Sequence, residues 1–299
     1  MKVFSWLLVL SLLGSCARKE PAPSGHAVAA PVEPAPSADA PAPSTPDPSA
    51  ASRQDREVGG ARSFEPVAAG LSVLTSERVD SDGEAHDWTV VRIDLKAHRL
   101  RVRVRGEAPF ADLREAPDVL VAVNGGFFDP DLGASGLLIS EGVVLARERP
   151  GGGSGLLVIA RGVARLLKRG ARRPAEAEFA VQCGPRLIEP GGAIGIRSDD
   201  GQRAARTAAC VRDSGRELDL IVATSTAHLG GGPGLLQLAR WLAEPLAPGE
   251  ASGCEAALNL DGGPSTGVVV AGAPEVFREP LGPVPFAVVV PRLATPRAD

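Results

Sequence analysis

The chain has 299 residues, which is enough for one large domain or two small ones. Hydrophobic residues make up 44% of it and charged residues 23%, so most of the chain is expected to fold around an apolar core. The formal net charge of −4 argues against a protein that binds nucleic acid. The absence of tyrosine and the scarcity of histidine narrow the choice of catalytic groups.

The N-terminus resembles a bacterial lipoprotein signal. Lys2 precedes an apolar stretch over residues 3–13, which has the length of a signal peptide and is too short to span a bilayer. The resemblance implies cleavage before Cys16 and acylation of that cysteine, and Ala17 at the next position favours the outer membrane. We therefore expect a signal peptide over residues 1–15 and a mature protein that is lipid-anchored in the cell envelope, facing the periplasm or the exterior. An ordinary secreted protein with a chance cysteine is the alternative.

A linker is predicted between this signal and the folded part. Residues 16–62 are rich in proline, alanine and serine, and such a composition buries too little apolar surface to offset the entropy of ordering. We expect a disordered, semi-extended tether that holds the domain away from the membrane. The folded domain is expected over residues 63–293, followed by a short tail over residues 294–299.

Strands dominate the predicted domain. In residues 99–105 the apolar side chains alternate with arginines, which is the period of a half-buried strand, whereas residues 119–123 are continuously apolar and predict a strand covered on both faces. Other strands are predicted over residues 71–74, 88–95, 136–139, 143–145, 155–159, 163–167, 179–188, 206–211, 217–224, 256–260 and 286–290, and from residue 268. The predicted hairpins join residues 88–95 to 99–105, 136–139 to 143–145, 155–159 to 163–167, and 206–211 to 217–224.

Helices are predicted to be few and short. Residues 110–115 form one candidate, and in residues 235–242 four apolar side chains share one helical face. The glycine-rich residues 230–234 precede that helix, and loop flexibility explains them more simply than an anion bound at its N-terminus. Because strands and helices do not alternate, the pattern predicts the α+β class, a single domain of strand-rich mixed sheets with a few short helices.

Three cysteines remain once Cys16 is assigned to the anchor. They are Cys183, Cys210 and Cys254, and an odd number in an oxidising compartment allows at most one intrachain disulfide. Cys183 and Cys210 lie on strands that we expect to pair, so they are the first choice for the bridge. No spacing of cysteine and histidine indicates a zinc site.

A carboxylate at the end of a buried strand is the main candidate for chemistry. The apolar residues 256–260 lead directly into Asp261, and Gly262 and Gly263 then let the backbone turn tightly. A carboxylate in such a place is costly to desolvate unless it is hydrogen-bonded or functional. A functional role and simple capping of the turn are therefore the two explanations.

Polar residues follow or precede three other predicted strands in the same way. The four strand-end turns carry Asn124 with Asp129, Gly184 with Arg186, Arg206 with Thr207, and Asn259 with Asp261. Because strand ends on one side of a sheet commonly build a site, we expect these turns to meet. The set offers carboxylate, amide and guanidinium groups but no histidine, and His228 is more simply explained as a loop residue.

The motifs at these turns resemble the phosphodiester glycosidase family. They are Asn124-Gly125-Gly126-Phe127-Phe128, Gln182-Cys183-Gly184-Pro185-Arg186-Leu187, Arg206-Thr207-Ala208 and Ala257-Leu258-Asn259-Leu260-Asp261-Gly262-Gly263, in order within residues 87–290. The family includes an enzyme that uncovers mannose 6-phosphate by removing N-acetylglucosamine from a phosphodiester. By position, the resemblance implies functional roles for Asn124, Gly184, Arg206, Asn259, Asp261 and Gly262. Pro264, Cys183 and Cys210 depart from the family's pattern, which leaves the substrate more open than the fold.

The chemistry of the residues agrees with that resemblance. Ordinary glycosidases use two carboxylates, one of which protonates a poor leaving group, whereas a sugar linked through phosphate already has a good one. One carboxylate and one arginine suit that bond, because a guanidinium grips phosphate oxygens with two hydrogen bonds. We expect Asp261 to act as base or nucleophile at the anomeric carbon and Arg206 to bind the phosphate. Asn124 and Asn259 would hold sugar hydroxyls or position Asp261, and Asp129 is a reserve second carboxylate.

Other residues of the same turns are expected to bind the substrate, a sugar phosphodiester of envelope or extracellular glycoconjugates. They are Gly125, Asp129, Gly184, Arg186, Thr207, Gly262, Gly263 and Ser265. We expect no cofactor, although Asp129, Asp131 and Asp261 could hold a hard divalent cation in a metal-assisted phosphodiesterase. A non-catalytic envelope module that binds anionic glycans through the same pocket is the other alternative.

Overall fold

The computed structural model of the chain describes residues 63–292. The predicted signal peptide, Cys16, the tether and the tail therefore lie outside the described residues. The described residues fall within one compact unit and contain sixteen strands and two α-helices. Among them, no helix combines the length and the apolar character needed to cross a membrane.

The largest sheet has seven strands in the order β1-β2-β3-β13-β12-β14-β11. Their bounds are β1 Glu65–Ala68, β2 Leu71–Val79, β3 Ala85–Asp94, β11 Arg186–Ile188, β12 Arg206–Arg212, β13 Glu217–Ser225 and β14 Ala256–Asn259. Strands β12 and β13 alternate little between polar and apolar because the sheet is covered on both faces, and nearly all of their residues are buried.

Two smaller sheets complete the domain. A five-stranded sheet has the order β7-β6-β10-β8-β9, and a four-stranded sheet has the order β15-β5-β16-β4. Their bounds are β4 Arg101–Val104, β5 Val119–Asn124, β6 Leu138–Ser140, β7 Val143–Ala146, β8 Gly155–Ala160, β9 Val163–Lys168, β10 Phe179–Cys183, β15 Val268–Val270 and β16 Phe286–Pro291. One hydrophobic cluster, which includes Val91, Val123 and Leu157, draws side chains from all three sheets and forms the central core.

The two α-helices cover outer faces of the sheets. The longer, α2 (Leu235–Ala243), buries Leu238 and Trp241 against residues of β12 and β13. The shorter, α1 (Asp112–Glu115), places Leu113 in a cluster with residues of β5, β15 and β16. The fold is therefore strand-rich, as the sequence predicts.

Three of the four predicted hairpins are confirmed. Strand β6 pairs with β7, β8 with β9, and β12 with β13. The hairpin predicted for residues 88–105 is wrong, because β3 pairs with β2 and β13 whereas β4 pairs with β16 in another sheet. The expectation of mixed sheets is also wrong for the described residues, since every pairing between their strands is antiparallel.

The disulfide differs from the first choice made on the sequence. Cys210 is bonded to Cys254, and Cys183 is a free, buried thiol. The expected bridge between Cys183 and Cys210 does not form because β10 and β12, which carry them, belong to different sheets. The observed bridge instead joins β12 to the segment that leads into β14, the strand that ends beside Asp261.

A buried ion-pair network stabilises the centre of the largest sheet. Asp219 on β13 is fully buried and accepts two hydrogen bonds of 2.8 Å from Arg92 on β3. Glu250 pairs with the same arginine at 2.6 Å and with Arg212 at 3.1 Å. Arg92 and Arg212, the latter 3.7 Å from the carboxylate, thus offset part of the cost of removing Asp219 from water, although burial still raises the pKa of Asp219.

Candidate functional site

Asn124 ties three of the predicted turns together. It ends β5, and its side chain is almost completely buried. Its Nδ2 donates to the main-chain oxygen of Asp261 at 2.5 Å, while its Oδ1 accepts hydrogen bonds from Thr207 Oγ1 at 2.6 Å and from the Gly267 amide at 3.2 Å. A single side-chain amide therefore fixes the segment that carries Asp261 relative to β5 and β12.

Asn259 makes a similar connection to the turn at Gly184. Its Nδ2 donates to the main-chain oxygens of Gly184 at 3.0 Å and Leu260 at 2.6 Å, and its main-chain amide donates to the carbonyl oxygen of Pro185 at 3.0 Å. Its Oδ1 is buried and has no hydrogen-bond partner among the described residues. All four predicted turns thus meet in one place.

Asp261 is held by its main chain and remains partly open to solvent. Its amide donates to the Gly125 carbonyl oxygen at 3.1 Å, and its Oδ1 accepts a hydrogen bond from the Gly262 amide at 2.9 Å. Burial raises the pKa of Asp261 from an ordinary 3.8 to about 6, and the hydrogen bond from the Gly262 amide only partly opposes this. The carboxylate is therefore ionised at neutral pH but more basic than an ordinary aspartate.

Arg206 lies beside the loop that carries this carboxylate. A Cβ placed on Gly262 would be 3.9 Å from Arg206 Cδ, so the two turns are in contact. Arg206 Nε donates to the Pro233 carbonyl oxygen at 3.1 Å, and Arg206 Nη2 donates to that of Gln202 at 2.8 Å. Burial lowers the pKa of Arg206, although the guanidinium stays protonated. Within the described part of the chain no carboxylate forms an ion pair with it, although the charges of Asp199 and Asp200 act on it from nearby.

The glycine-rich loop before α2 holds one of the chain's own carboxylates. Asp199 Oδ2 accepts a hydrogen bond from the Leu236 amide at 3.3 Å, at the N-terminus of the helix. A Cβ on Gly234 would lie 2.1 Å from that oxygen, but Asp199 is exposed and its carboxylate can move aside. The contact therefore does not by itself require glycine at this position.

Close approach of the backbone also explains two glycines of the site. A Cβ on Gly125 would lie 2.7 Å from the Phe286 carbonyl oxygen, and one on Gly184 would lie 2.8 Å from the Ser154 amide nitrogen. Gly263 differs, because no atom lies near the position of its Cβ. Its φ of +57° is the left-handed backbone conformation that glycine adopts most easily, so the turn and not the packing favours glycine here.

Several residues predicted to bind substrate have partners within the protein. Asp129 accepts hydrogen bonds from Ser135 Oγ at 2.6 Å and from Arg149 Nη1 at 2.9 Å. Arg186 is paired with Glu189 at 2.6 Å. The hydroxyl of Thr207 is committed to Asn124, as described above, and that of Ser265 donates to the Pro283 carbonyl oxygen at 2.9 Å. Asp261 and Arg206 are therefore the members of the predicted set whose charges are best placed for a ligand.

The three aspartates proposed for a metal do not come together. Within residues 63–292, the one group of three acidic or histidine side chains whose ligand atoms approach closely is Asp80, Glu84 and His86. Arg203 already donates to Asp80 there, so the negative charge of that cluster is offset by the protein itself. The site around Asp261 thus offers no set of metal ligands comparable to that cluster.

Gln182 organises the neighbouring loops, and the sequence reasoning gave it no role. Its Oε1 accepts hydrogen bonds from the amides of Leu137 at 3.0 Å and Arg149 at 3.1 Å, and its Nε2 donates to the Arg149 carbonyl oxygen at 2.6 Å. A polar residue inside the otherwise apolar strand β10 is the signal that could have revealed it. The next residue, Cys183, is fully buried, and burial raises the pKa of its thiol well above the ordinary range.

This arrangement of turns around one carboxylate and one arginine agrees with a comparison of the chain with known protein families. The model of the phosphodiester glycosidase family matches residues 117–290, which is more than half of the chain. The chain therefore belongs to the phosphodiester glycosidase family.

Solved structures with the same fold include two distant relatives. The catalytic domain of zebrafish N-acetylglucosamine-1-phosphodiester alpha-N-acetylglucosaminidase, auto-inhibited by its pro-peptide, has a TM-score of 0.53 and 19% identity, covering 77% of this chain and 88% of that one. A hypothetical protein from Synechocystis has a TM-score of 0.53 and 17% identity, covering 78% of this chain and 64% of the other protein. The chain thus spans less than two thirds of the Synechocystis protein. No curated protein sequence matches it significantly.

Proposed function

We propose that the protein is a hydrolase that cleaves the bond between the anomeric carbon of a sugar and a phosphodiester in envelope or extracellular glycoconjugates. One observation carries the proposal: Asp261, whose pKa burial raises, lies on a turn that packs against the segment of Arg206 and is hydrogen-bonded to it through the Gly263 amide and the Ala205 carbonyl oxygen, in a member of the phosphodiester glycosidase family. The zebrafish relative is named for removing N-acetylglucosamine from such a phosphodiester, and we use that sugar as the first probe.

The proposed reaction needs only one strong carboxylate. The bond between the anomeric carbon and the phosphate oxygen breaks, the bonding electrons leave with the phosphate, and water supplies a hydroxyl to the sugar and a proton to balance the charge. Asp261 either takes a proton from that water or attacks the anomeric carbon itself. Because the leaving phosphomonoester is stable as an anion, a second carboxylate for its protonation is not required.

Arg206 and the two asparagines would support this step in different ways. The guanidinium of Arg206 binds the phosphate and stabilises the negative charge that grows on it as the bond breaks. Asn124 acts as a positioning residue because its hydrogen bonds go to the chain around Asp261. Asn259 fixes the turn at Gly184, and its unpaired Oδ1 accepts a hydrogen bond from a sugar hydroxyl or a bound water.

The proposal also places the enzyme in the cell envelope. Acylation of Cys16 would anchor the chain, with residues 16–62 acting as a tether for the domain over residues 63–293. Mass spectrometry of the N-terminal peptide from membranes tests this assignment, since replacement of Cys16 by serine would remove both the lipid mass and the membrane association.

Product analysis tests the catalytic proposal. The protein is incubated with N-acetylglucosamine 1-(methyl phosphate) and with related sugar phosphodiesters, and the expected products are free reducing sugar and a phosphomonoester. We expect Asp261→Asn and Arg206→Ala to lower kcat by a factor on the order of 100 or more, the scale of losing a general base or an electrostatic stabiliser. The matched control is Asp131→Asn, which removes an exposed carboxylate of a nearby loop.

The outcomes separate the alternative functions. Sugar phosphate as the product would mean attack at phosphorus and an ordinary phosphodiesterase. Tight binding without turnover would identify a glycan-binding module, and loss of activity with a chelator would identify a metal-assisted reaction. Full turnover by both Asp261→Asn and Arg206→Ala would show that the roles assigned to these residues are wrong.

A further inference from the structure

Two exposed leucines lie on neighbouring loops at the edge of the candidate site. Leu229 is 84% exposed and Leu281 is 52% exposed, and Leu229 is the most exposed of the large hydrophobic residues that the structure describes. A Cβ placed on Gly230 would lie 3.1 Å from Leu281 Cδ1, so the loop of Leu229 touches the side chain of Leu281. We refer to these two side chains as the leucine rim.

Hydrogen bonds connect the leucine rim to both functional groups of the site. The amide of Leu281 donates to the carbonyl oxygen of Pro264 at 2.8 Å, on the loop that begins at Asp261. The carbonyl oxygen of Gly230, next to Leu229, accepts a hydrogen bond of 2.9 Å from the amide of Ala205, which immediately precedes Arg206. The rim therefore lies on two loops that are hydrogen-bonded to the segments carrying Asp261 and Arg206.

Two exposed leucines on adjoining loops form a small apolar surface beside a polar site, which suits contact with an apolar part of a ligand. A sugar phosphodiester has two ends, and the sugar must face Asp261 for attack at its anomeric carbon. We place the group esterified to the other side of the phosphate toward Leu229, because the loop of Leu229 is hydrogen-bonded to the residue that precedes Arg206. Leucine offers no hydrogen bond to a second sugar or to a charged group, but it offers dispersion and hydrophobic contact to an alkyl chain.

We propose that the aglycone of the natural substrate is an apolar alcohol, so that the enzyme acts on a lipid-type sugar 1-phosphodiester whose alkyl chain packs on Leu229 and Leu281. This inference rests on the proposed function and specifies its substrate class. Hydrolysis of such a substrate releases the free sugar and an alkyl phosphate, with water supplying the atoms that complete both products.

The test compares two substrates that differ only in the alkyl chain. These are N-acetylglucosamine 1-(methyl phosphate) and N-acetylglucosamine 1-(octyl phosphate), the latter below the concentration at which it forms micelles. We expect kcat/KM for the octyl ester to exceed that for the methyl ester by a factor on the order of ten or more, since each buried methylene favours binding about fourfold. In the double variant Leu229→Ser, Leu281→Ser this advantage should fall to about twofold or less, with the methyl ester unaffected.

A matched variant controls for the loss of exposed apolar surface. Val143→Ser changes a residue that is 60% exposed on the edge strand β7, and it should leave the preference for the octyl ester intact. Equal rates for the two esters, or an unchanged preference in the double variant, would overturn the inference while leaving the proposed function standing.

A binding measurement separates failure of the inference from failure of the proposed function. Calorimetry with octyl phosphate and methyl phosphate needs no turnover, and we expect tighter binding of octyl phosphate that is lost in the double variant. Neither ester being hydrolysed would refute the proposed function, and equal binding of the two phosphates would independently refute the leucine rim as an alkyl site. Self-association of the full chain that disappears in the double variant, without any preference for alkyl chains, would assign the rim to a second copy of the protein instead.

Discussion

Replacing the proposed catalytic carboxylate by an amide should stabilise the protein while abolishing its activity. Burial raises the pKa of Asp261 from 3.8 to about 6, which means that the folded protein disfavours the ionised form. A shift of roughly two pKa units corresponds to about 3 kcal/mol. The amide side chain introduced by Asp261→Asn would carry no charge, and its oxygen can still accept the hydrogen bond from the Gly262 amide.

The size of this effect depends on pH. Well below pH 3.8 the carboxyl is protonated in both states, so Asp261 imposes no electrostatic cost on folding. Between pH 4 and pH 6 the folded state binds more protons than the unfolded state, so the free energy of unfolding of the native protein falls as the pH rises. Above pH 6 the full cost of about 3 kcal/mol is present, and Asp261→Asn lacks it.

Urea denaturation of both proteins between pH 4 and pH 8 measures the effect. At each pH the free energy of unfolding of the native protein is subtracted from that of the variant, so that the contributions of all other groups cancel. The result is then compared across the pH range. We expect the advantage of the variant to grow by about 2.5 kcal/mol from pH 4 to pH 8, since a small part of the cost is already present at pH 4. A difference that stays constant to within about 1 kcal/mol, on the same order as the error of the method, would refute a raised pKa. A kcat/KM that is already independent of pH between 4 and 6 would refute ionised Asp261 as the catalytic group.

Three further predictions concern residues that hold the site in place. Asn124→Ala should cost about 3 kcal/mol of stability because it leaves buried hydrogen-bonding groups unpaired, and it should lower kcat even in the folded fraction; a normal kcat measured after correction for unfolding would contradict its positioning role. Arg92→Met should destabilise the protein by about 3–5 kcal/mol, since it leaves the fully buried carboxylate of Asp219 without the arginine that donates two hydrogen bonds to it; urea denaturation checks this, and a loss below about 1 kcal/mol would contradict it. Breaking the disulfide with Cys254→Ala should cost about 4 kcal/mol for a bridge that spans 44 residues, and a midpoint of thermal unfolding unchanged from the native protein would show that Cys210 and Cys254 are not bonded.

The sequence predicted strands better than it predicted their partners. The continuously apolar residues of β5 are all buried, as expected for a strand covered on both faces, and three short hairpins pair as predicted because their turns leave the chain no other close neighbour. The alternating pattern of residues 99–105 correctly indicates a strand, but that strand pairs with β16, far away along the chain. The alternation of polar and apolar residues identifies which side of a strand is buried, but it does not indicate which distant strand pairs with it.

For the candidate site, too, the sequence predicted which residues lie at strand ends but not all of their partners. The positions of Asn124, Arg206 and Asp261 at strand ends predicted that they would meet, and the structure brings their turns together. The partners of Asp129 and Arg186 were not predictable, because pairing with Arg149 and Glu189 depends on the conformations of loops that have no regular pattern. The roles of these residues in catalysis stay predictions until the variants are measured.

The side-chain amide of Asn124 also has a consequence for how the enzyme matures. It contacts residues that are 83, 137 and 143 positions further along the chain. Contacts of such long range close large loops, whose entropy cost the rest of the fold must offset. The arrangement around Asp261 is therefore complete only when the last strands of the domain have joined the first.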